Sequence, residues 1–290
     1  MESQSVKVFA SGGMGNQLFQ FAFSLYVERE LGLRTDFLNL NILRRTPHQN
    51  FDLTPFLPDG LNSLFKIPKT PKSLKFCVDP WKSFRFHHVW GRRYDFRFIH
   101  DVSPRNLPKF ECPSHVIGYF QHHEFLRSCG EEIVETLLNL STKPSDSRVS
   151  PSSYEVIHIR GGDYLKGIHP KTMGNLSPVY YQKLLTKESN LPRIVVTDDL
   201  AFARHQLTGL NIDEFIDPTE CDPHETLYIL GRAKRIYPAN STFSWFGAYL
   251  ANEISDAEVI IPNPFFKSKS LNFGHGLQSP NFEDFRAVWR

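Results

Sequence analysis

The stretch that decides the fold is residues 6–20, which read Val6-Lys7-Val8-Phe9-Ala10-Ser11-Gly12-Gly13-Met14-Gly15-Asn16-Gln17-Leu18-Phe19-Gln20. A short apolar strand leads into a turn of glycines, and the turn leads into a helix rich in aromatic residues. Glycine lets a ligand approach the main chain, and the helix N-terminus offers free N–H groups to negative charge. The stretch therefore favours a nucleotide or phosphate site, with Gly13 and Gly15 in contact with the ligand.

The opening strand and helix begin an open α/β sheet. The helix is predicted to bury one face, because its apolar residues recur at helical spacing, at Leu18, Phe21, Ala22, Leu25 and Tyr26. Gly32 is a predicted C-cap, and residues 35–38 form the next predicted strand. A strand–helix–strand start is the unit of a parallel sheet.

A second set of alternating strands and helices follows a linker rich in Ser and Pro at residues 141–153. Strands are predicted at 156–160, 193–197, 236–239 and 258–261, the last of them ended by Pro262. Helices are predicted at 177–187, at 200–207 and from residue 244. The pattern predicts a second parallel sheet and an α/β protein of two domains, residues 1–145 and 146–290.

Residues 41–110 are interrupted by prolines and are predicted to form irregular loops and short helices. Within them, arginines alternate with aromatic residues between Phe84 and Arg105. Two interpretations stay open for this segment. It is an exposed basic face whose rings point inward, or it is a surface that binds sugar or another partner. The region is a candidate for the face that receives an acceptor.

The composition sets wide limits on function. The net charge of +2 gives no reason to expect nucleic acid as a partner. No apolar run reaches the length of a membrane span, and the N-terminus lacks a signal-peptide core. We expect a cytoplasmic protein, for which a peripheral membrane contact stays open. The cysteines form no C-x-x-C pair and are predicted to be reduced, mostly buried thiols, at Cys77, Cys112, Cys129 and Cys221.

The second candidate site is His158-Ile159-Arg160-Gly161-Gly162-Asp163-Tyr164, at the C-terminal end of a predicted strand. Ligands of open α/β sheets bind outside such strand ends. Arg160 can bind a phosphate through two N–H donors, and the glycines leave room for it. Asp163 can orient Arg160 or accept a proton. The alternative is a strand-end turn with a surface ion pair.

Two further strand ends carry polar residues. Asn240, Ser241 and Thr242 precede a predicted helix, where they can cap the helix or bind phosphate. Asp198 and Asp199 follow another strand. A carboxylate there can accept hydrogen bonds from a guanine edge or a ribose, or it can cap the following helix.

Several catalytic patterns are missing from the sequence. It has no Asp-x-Asp triplet, and this weakens a metal-bridged diphosphate site. It also lacks an ATPase phosphate loop, a dinucleotide fingerprint and a hydrolase elbow. The run His122-His123-Glu124 does not have the spacing of a zinc-binding helix. We therefore assign no metal ligands.

Taken together, three segments resemble the α-1,2-fucosyltransferases of glycosyltransferase family 11. The glycine turn is similar to the family's G-G-x-G-N-Q-x-F-Q-[YF]-A, residues 158–164 to its H-x-R-R-G-D-Y, and residues 240–248 to its N-S-[ST]-F-S-W-W-G-A. Residues 118–121 and 197–199 match the weaker segments G-Y-[FW]-Q and [ST]-D-D. All of these segments lie in the family's order.

The resemblance implies a GT-B architecture, with two Rossmann-like domains facing across a cleft. It implies an inverting, metal-independent galactoside α-1,2-fucosyltransferase without a cofactor. The donor would be GDP-β-L-fucose, and the acceptor would be an oligosaccharide that ends in galactose. In such an enzyme Arg160 would hold the β-phosphate and stabilise the departing GDP. His158 and Asp198 would contact the nucleoside, and Ser241 and Thr242 would contact the diphosphate.

The same resemblance extends to residues beside the reacting sugar. Asn16 would reach the fucose or the acceptor from the opposite domain, and Asn240 is a further donor-binding candidate. Asp163 and His169 are candidates for a general base, while a dissociative route with little base assistance is the alternative. The candidate catalytic residues are thus Arg160, Asn16 and Asp163.

The chain departs from the family pattern at two positions. Gly161 stands where the family has a second arginine, and Phe246 replaces a tryptophan. The first departure removes positive charge beside the leaving group and leaves the choice of donor open. Two alternatives therefore remain: a GT-B transferase that uses another GDP-sugar, and a carbohydrate-binding protein that has lost catalysis.

Overall fold

The computed structural model describes residues 5–39, 51, 53–59, 61, 96–98, 103–107, 109–110, 114–144, 153–186, 189–217, 221–272 and 276–290. The chain divides into two compact units. The first unit comprises Met1–Thr136 and Gly274–Gly276, and the second unit comprises Leu137–Phe273 and Leu277–Arg290. The predicted division at 145/146 lies outside the described residues, as do Cys77, Cys112 and most of the loop-rich region 41–110.

A four-stranded parallel sheet forms the centre of the first unit, in the strand order β2-β1-β4-β3. Its strands are β1 (Val6–Ala10), β2 (Thr35–Asn39), β3 (Phe96–Phe98) and β4 (Ser114–Ile117). Helix α1 (Met14–Leu31) connects β1 to β2, and helix α2 (Gly130–Leu140) follows β4. Short 3-10 helices lie at Thr54–Phe56, Pro104–Asn106 and His123–Leu126.

Helix α1 is buried more completely than its spacing predicts. Its residues from Met14 to Leu25 are buried except Asn16, and they include both polar and apolar side chains. The prediction of a single buried face therefore underestimates how much of the helix is buried. A helix that is covered on most sides does not show an apolar face opposite a polar one. The helix ends as predicted at Gly32, whose φ of 65° is in the left-handed region that favours glycine.

Two glutamines of α1 hold the glycine turn by buried hydrogen bonds. The Gln20 side chain accepts from the Ser11 N–H and donates to the Gly118 carbonyl, both at 2.8 Å. The Gln17 side chain donates to the carbonyls of Gly12 and Phe51 at 3.1 and 2.8 Å. Both side chains are fully buried, so the turn is fixed from inside the unit rather than by solvent.

A six-stranded parallel sheet forms the centre of the second unit, in the strand order β10-β9-β8-β5-β6-β7. The strands are β5 (Glu155–Ile159), β6 (Arg193–Thr197), β7 (Glu214–Ile216), β8 (Arg235–Tyr237), β9 (Glu258–Asn263) and β10 (Glu283–Arg286). The helices are α3 (His169–Thr172), α4 (Pro178–Leu184), α5 (Leu200–Gln206), α6 (Pro223–Gly231), α7 (Thr242–Ser255) and α8 (Lys269–Asn272). The predicted α/β class with two Rossmann-like domains, as in a GT-B protein, is confirmed.

An ionic network closes the amino ends of the central strands. Glu155 has no exposed surface, and its carboxylate lies between the guanidinium groups of Arg193 and Arg235. Arg235 also pairs with Glu258 at 2.6 Å. A buried carboxylate needs such partners to offset the loss of water. The network therefore ties β5, β6, β8 and β9 together at one edge of the sheet.

Strand β9 does not end at Pro262 as predicted. It pairs with β8 only through Glu258 and Val259, and its later residues pair with β10 on the other side, with Pro262 opposite Phe285. Proline has no N–H to donate, so it is tolerated where one of the two neighbouring ladders has already ended.

The strand order reverses once in each sheet. In the second unit the chain runs outward from β5 through β6 to β7, whereas β8, β9 and β10 extend the sheet from the other side of β5. In the first unit the reversal lies between β1 and β4. Open parallel sheets bind ligands at the carboxyl ends of strands where the order reverses. The loops after β5, β8, β1 and β4 are therefore the candidate binding loops.

Two further expectations concern cysteines and membrane segments. Cys129 and Cys221 are buried free thiols, as predicted. Among the helices in the described parts of the chain, none has both the length and the apolar character needed to span a bilayer.

Replacing Gln20 by alanine should lower the free energy of unfolding by about 2–4 kcal/mol, because two buried main-chain groups lose their partners. Urea denaturation measures the change. Gln182→Ala, at an exposed position of α4, is the matched control and should stay within about 0.5 kcal/mol of the wild type. Equal stabilities of the two variants would contradict a supporting role for Gln20.

Candidate functional site

Arg160 is the first residue after β5, at the reversal point of the second sheet. Its Nε and Nη2 donate to Asp163 Oδ1 at 3.1 and 2.8 Å, and its Nη1 lies 2.9 Å from Asp198 Oδ2. Desolvation disfavours the charged guanidinium, but Asp198 and Asp163 hold the pKa of Arg160 above its ordinary value. Arg160 is thus a fixed positive charge at the carboxyl end of the sheet.

The main chain around Arg160 is shaped by Asp198. The Gly161 N–H donates to Asp198 Oδ1 at 2.6 Å. A Cβ on Gly162 would lie 2.6 Å from Asp198 Oδ2, and the φ of that glycine is +26°. Asp198 therefore joins the strand end of β6 to that of β5 and leaves space for no side chain at position 162.

Gly161 is enclosed by helix α5. A Cβ at this position would lie 2.7 Å from the Asp199 Cβ and 3.0 Å from the Phe202 Cδ1. Asp199 caps α5 by accepting the Phe202 N–H at 3.0 Å, so its main chain cannot shift without loss of the cap. Of the two functions that the sequence allows for the Asp pair, Asp199 therefore has the capping one.

Tyr164 connects Arg160 to the loop after β8. Its ring centre lies 5.7 Å from the Arg160 guanidinium carbon, and its hydroxyl donates to the Asn240 carbonyl at 3.2 Å and forms a side-chain hydrogen bond with Ser241. Burial raises the pKa of Tyr164 to about 12, so the hydroxyl keeps its proton at neutral pH. The motif containing Arg160 and the N-terminal end of α7 are thus brought together.

The three predicted residues before and at the start of α7 have different surroundings. The Asn240 side-chain amide donates to the carbonyls of Met173 and Gly174 at 2.9 and 3.1 Å, so it braces that loop. Ser241 is the N-cap of α7 but makes no side-chain cap, and Thr242 is the first helical residue. The hydroxyl of Ser244 accepts the Ala239 N–H at 2.9 Å and is fully buried.

His158 lies in β5, two residues before Arg160, and only 4% of its surface is exposed. The edge of its ring faces Phe243 of α7, with ring centres 5.9 Å apart. Within the described residues its Nδ1 has no hydrogen-bond partner. Burial, and to a smaller extent the charge of Arg160, lowers the pKa of His158 to about 3. The imidazole is therefore neutral and keeps one buried polar nitrogen unused.

The His169 ring is stacked on the Tyr164 ring, with ring centres 6.1 Å apart. Its Nδ1 is buried and, within the described residues, unpartnered. Asp163, in contrast, is engaged by Arg160 and is 43% exposed. The contacts of Asp163 match the orienting role that the sequence allows for it.

In the first unit the predicted residues lie at the reversal between β1 and β4. Gly13 is the N-cap of α1 with open space where a Cβ would stand, and Gly15 is buried within the helix. Asn16 Oδ1 accepts from Gln121 Nε2 at 3.0 Å. The first turn of α1 and the loop after β4 are thus joined by side chains from two motifs.

Phe120, in the loop after β4, has an unusual conformation that the sequence motifs do not reveal. Its φ is +51°, in the left-handed region that bulky side chains rarely adopt. Its ring is buried and stacked on Phe23 at 3.8 Å. Strained residues of this kind cost about 1–3 kcal/mol and cluster at functional sites. The strain precedes Gln121, the partner of Asn16.

The burial of His158 has a consequence for stability in acid. Below its ordinary pKa of 6.5 the unfolded chain binds a proton that the folded chain refuses until the pH approaches 3, so folding stability falls as the pH drops through this window. We expect His158→Gln to reduce the loss of unfolding free energy between pH 7 and pH 5 by about 2 kcal/mol. Urea denaturation at the two pH values measures this.

The exposed His205 provides the control for that experiment. His205→Gln should keep the wild-type loss between pH 7 and pH 5. The His122 side chain, whose pKa burial lowers to about 4, keeps its own contribution in both variants. A His158 variant with an unchanged pH dependence would contradict the neutral, buried imidazole.

A family model of glycosyl transferase family 11 matches residues 3–273. An alpha-1,2-colitosyltransferase of Escherichia coli is 24% identical over 277 residues, covering 90% of this chain and 92% of that protein. The O-antigen biosynthesis glycosyltransferase WbnK of Escherichia coli is 25% identical over 291 residues, covering 88% of this chain and 93% of that protein.

Among solved structures, the fucosyltransferase NodZ from Bradyrhizobium matches with a TM-score of 0.45 at 12% identity, covering 86% of this chain and 93% of that chain. The sequence match of the family model extends over both units. The chain therefore belongs to glycosyl transferase family 11 and is a glycosyltransferase that uses a nucleotide sugar.

Proposed function

We propose that the protein transfers L-fucose from GDP-β-L-fucose to the 2-hydroxyl of a terminal galactose, with inversion to an α-1,2 linkage. The observation that carries the proposal is that Tyr164 links Arg160 to the segment at the N-terminal end of α7, at the reversal point of the second sheet. An arginine and a helix N-terminus are both groups that bind a diphosphate. The motifs around them are those that resemble the α-1,2-fucosyltransferases.

In the proposed reaction the bond between the anomeric carbon and the β-phosphate oxygen breaks, and the galactose oxygen forms a new bond on the opposite face of the sugar. Negative charge builds on the departing GDP. Arg160 and the N-terminal end of α7 stabilise that charge, because they are fixed in place before the reaction begins. The acceptor hydroxyl gives its proton to a base or to water.

Asp163 and Asp198 hold Arg160 with unequal strength. Asp198 also binds the Gly161 N–H, whereas Asp163 is 43% exposed. An exposed ion pair contributes little, since water solvates the freed carboxylate well. A phosphate that binds Arg160 therefore displaces Asp163 more easily than Asp198. Asp163 then becomes free for a second role, such as accepting the proton.

We also propose that His158 contacts the nucleoside of the donor. Buried polar atoms without a partner are rare, and each calls for an explanation such as a ligand. The Nδ1 atom of His158 is such an atom, and the ring packs edge to face with Phe243 of α7. A neutral imidazole suits a hydrogen bond to a ribose or a base, since it brings no charge to repel the nearby guanidinium.

A GDP-colitose donor is the second candidate, because one relative of the chain is an alpha-1,2-colitosyltransferase. Colitose is L-fucose without its 3-hydroxyl. A site that hydrogen-bonds this hydroxyl rejects the deoxy sugar by about 10⁴-fold or more, while a site that does not bind it discriminates by about 10²-fold or less. The ratio of kcat/KM for the two donors therefore separates the candidates.

The test is an incubation with lactose and either GDP-fucose, GDP-colitose or GDP-mannose in EDTA without added metal. The expected result is release of GDP with a 2′-fucosylated product, and a higher kcat/KM for GDP-fucose than for the other donors. Preference for GDP-colitose or GDP-mannose would overturn the assignment of fucose as the donor sugar but would leave the assignment as a glycosyltransferase unchanged. Binding of galactosides without turnover of any donor would favour a protein that has lost catalysis.

Arg160→Ala should lower kcat by about 10²-fold or more, because the leaving diphosphate loses its fixed positive charge. Steady-state rates of GDP release measure the effect. Arg160→Lys should recover part of it, since lysine keeps the charge but not the two-pronged geometry. The control is Arg127→Ala at an exposed position of the first unit, with melting temperatures recorded for all variants. Near-normal turnover in a folded Arg160→Ala protein would contradict the phosphate-binding role.

A further inference from the structure

The phosphate site around Arg160 is short of positive charge. One guanidinium meets the carboxylates of Asp163 and Asp198, so the three side chains together carry a formal charge of minus one. Each guanidinium nitrogen is already paired with a carboxylate oxygen. A diphosphate is itself strongly negative, and such a cluster repels it unless another cation lies nearby.

Arg290 places a cation next to this cluster. Its guanidinium carbon lies 5.9 Å from the centre of the Phe202 ring, and Cδ1 of the same ring lies 3.0 Å from the Cβ position of Gly161. These distances and the radius of the ring limit the separation between the guanidinium and the Gly161 Cβ position to about 10 Å, one Debye length at 0.1 M salt. At this separation salt only partly screens the electrostatic potential of the Arg290 guanidinium at Gly161, the residue next to Arg160.

Main-chain contacts hold Arg290 in this position. Its N–H donates to the Asn175 carbonyl at 2.9 Å, and the preceding Trp289 forms an antiparallel bridge with Leu176. The Asn175 side-chain amide in turn reaches the Arg160 carbonyl at 3.5 Å. One loop thus contacts both arginines, which fixes the backbone of Arg290 relative to the site.

Arg290 is exposed, and among the described residues no Asp or Glu side chain lies within ion-pair distance of its guanidinium. This differs from Arg193 and Arg235 of the same unit, whose charges are neutralised by Glu155 and Glu258. An arginine side chain that is exposed and unpaired can turn toward a ligand and present its donors to phosphate oxygens.

We propose that Arg290 binds the donor phosphates as a second cation beside Arg160. The proposal rests on the proposed function, which places the diphosphate of the donor at the carboxyl ends of β5 and β8. With the side chain of Arg290 included, the four side chains together carry a formal charge of zero. The residue then contributes to donor affinity and not to the recognition of the nucleoside or the acceptor.

The test compares GDP and guanosine binding to the wild type and to Arg290→Ala by isothermal titration calorimetry. Arg290→Ala should weaken GDP binding by about 5- to 20-fold and leave guanosine binding unchanged, because only GDP carries the phosphates. Arg290→Lys should retain part of the lost affinity. The difference between wild type and Arg290→Ala should shrink in high salt, which screens exposed charges.

Arg286→Ala is the matched control, since Arg286 is exposed in β10, close to Arg290 in the sequence. It should bind GDP like the wild type. Unchanged GDP affinity in Arg290→Ala would overturn the proposal and leave the proposed function standing. An equal loss of guanosine and GDP binding would also overturn it, because that result indicates a structural effect. A wild type that binds no nucleoside diphosphate would overturn both the Arg290 proposal and the proposed function. If the wild type binds ADP or UDP instead of GDP, and Arg290→Ala weakens that binding, only the assignment of a guanine nucleotide as donor is overturned.

Discussion

Parallel strands direct all of their carboxyl ends to one edge of a sheet, and both sheets of this protein reverse their strand order partway across. At a reversal the loops after two adjacent strands diverge and leave main-chain groups between them accessible. In the second unit those loops begin at Arg160 and after Tyr237. In the first unit Asn16 lies in the first turn of α1 and Gln121 lies in the loop after β4. At the opposite edge of the second sheet, the buried Glu155 pairs with Arg193 and Arg235 and ties the amino ends of the strands together.

Most of the fold could be predicted because each element carries its own local signal. The strands β1, β5 and β6 are apolar runs that end in a turn, and α4 begins with the capping pair Ser177 and Pro178. The strands β7 and β10 were missed, because they are short edge strands with charged residues and are specified by pairing with β6 and β9. Helix α6 was also missed, although the capping box of Asp222 and Glu225 predicts its start.

For the candidate site, the sequence predicts the residues within each motif but not the contacts between motifs. The sequence places Arg160 at a strand end, but it does not reveal that Asp163 and Asp198 both pair with it. The support from Tyr164, the strained backbone of Phe120 and the position of Arg290 depend on contacts between distant segments. Such contacts follow from the strand order, which no local pattern encodes.

The glycine at position 161, where the family has a second arginine, links the packing of α5 to the positive charge of the candidate site. A second arginine at this position would bring its Cβ within 3 Å of Asp199 and Phe202, and Asp199 is held there because it caps α5. The glycine is therefore a steric consequence of how α5 packs on the loop after β5, and restoring the arginine alone would strain that contact. A chain with this packing can add positive charge only from outside the motif. Phe202, whose ring excludes a side chain at position 161, is also the ring on which the Arg290 guanidinium lies. The same contact that removes one arginine from the site thus provides the surface that positions another.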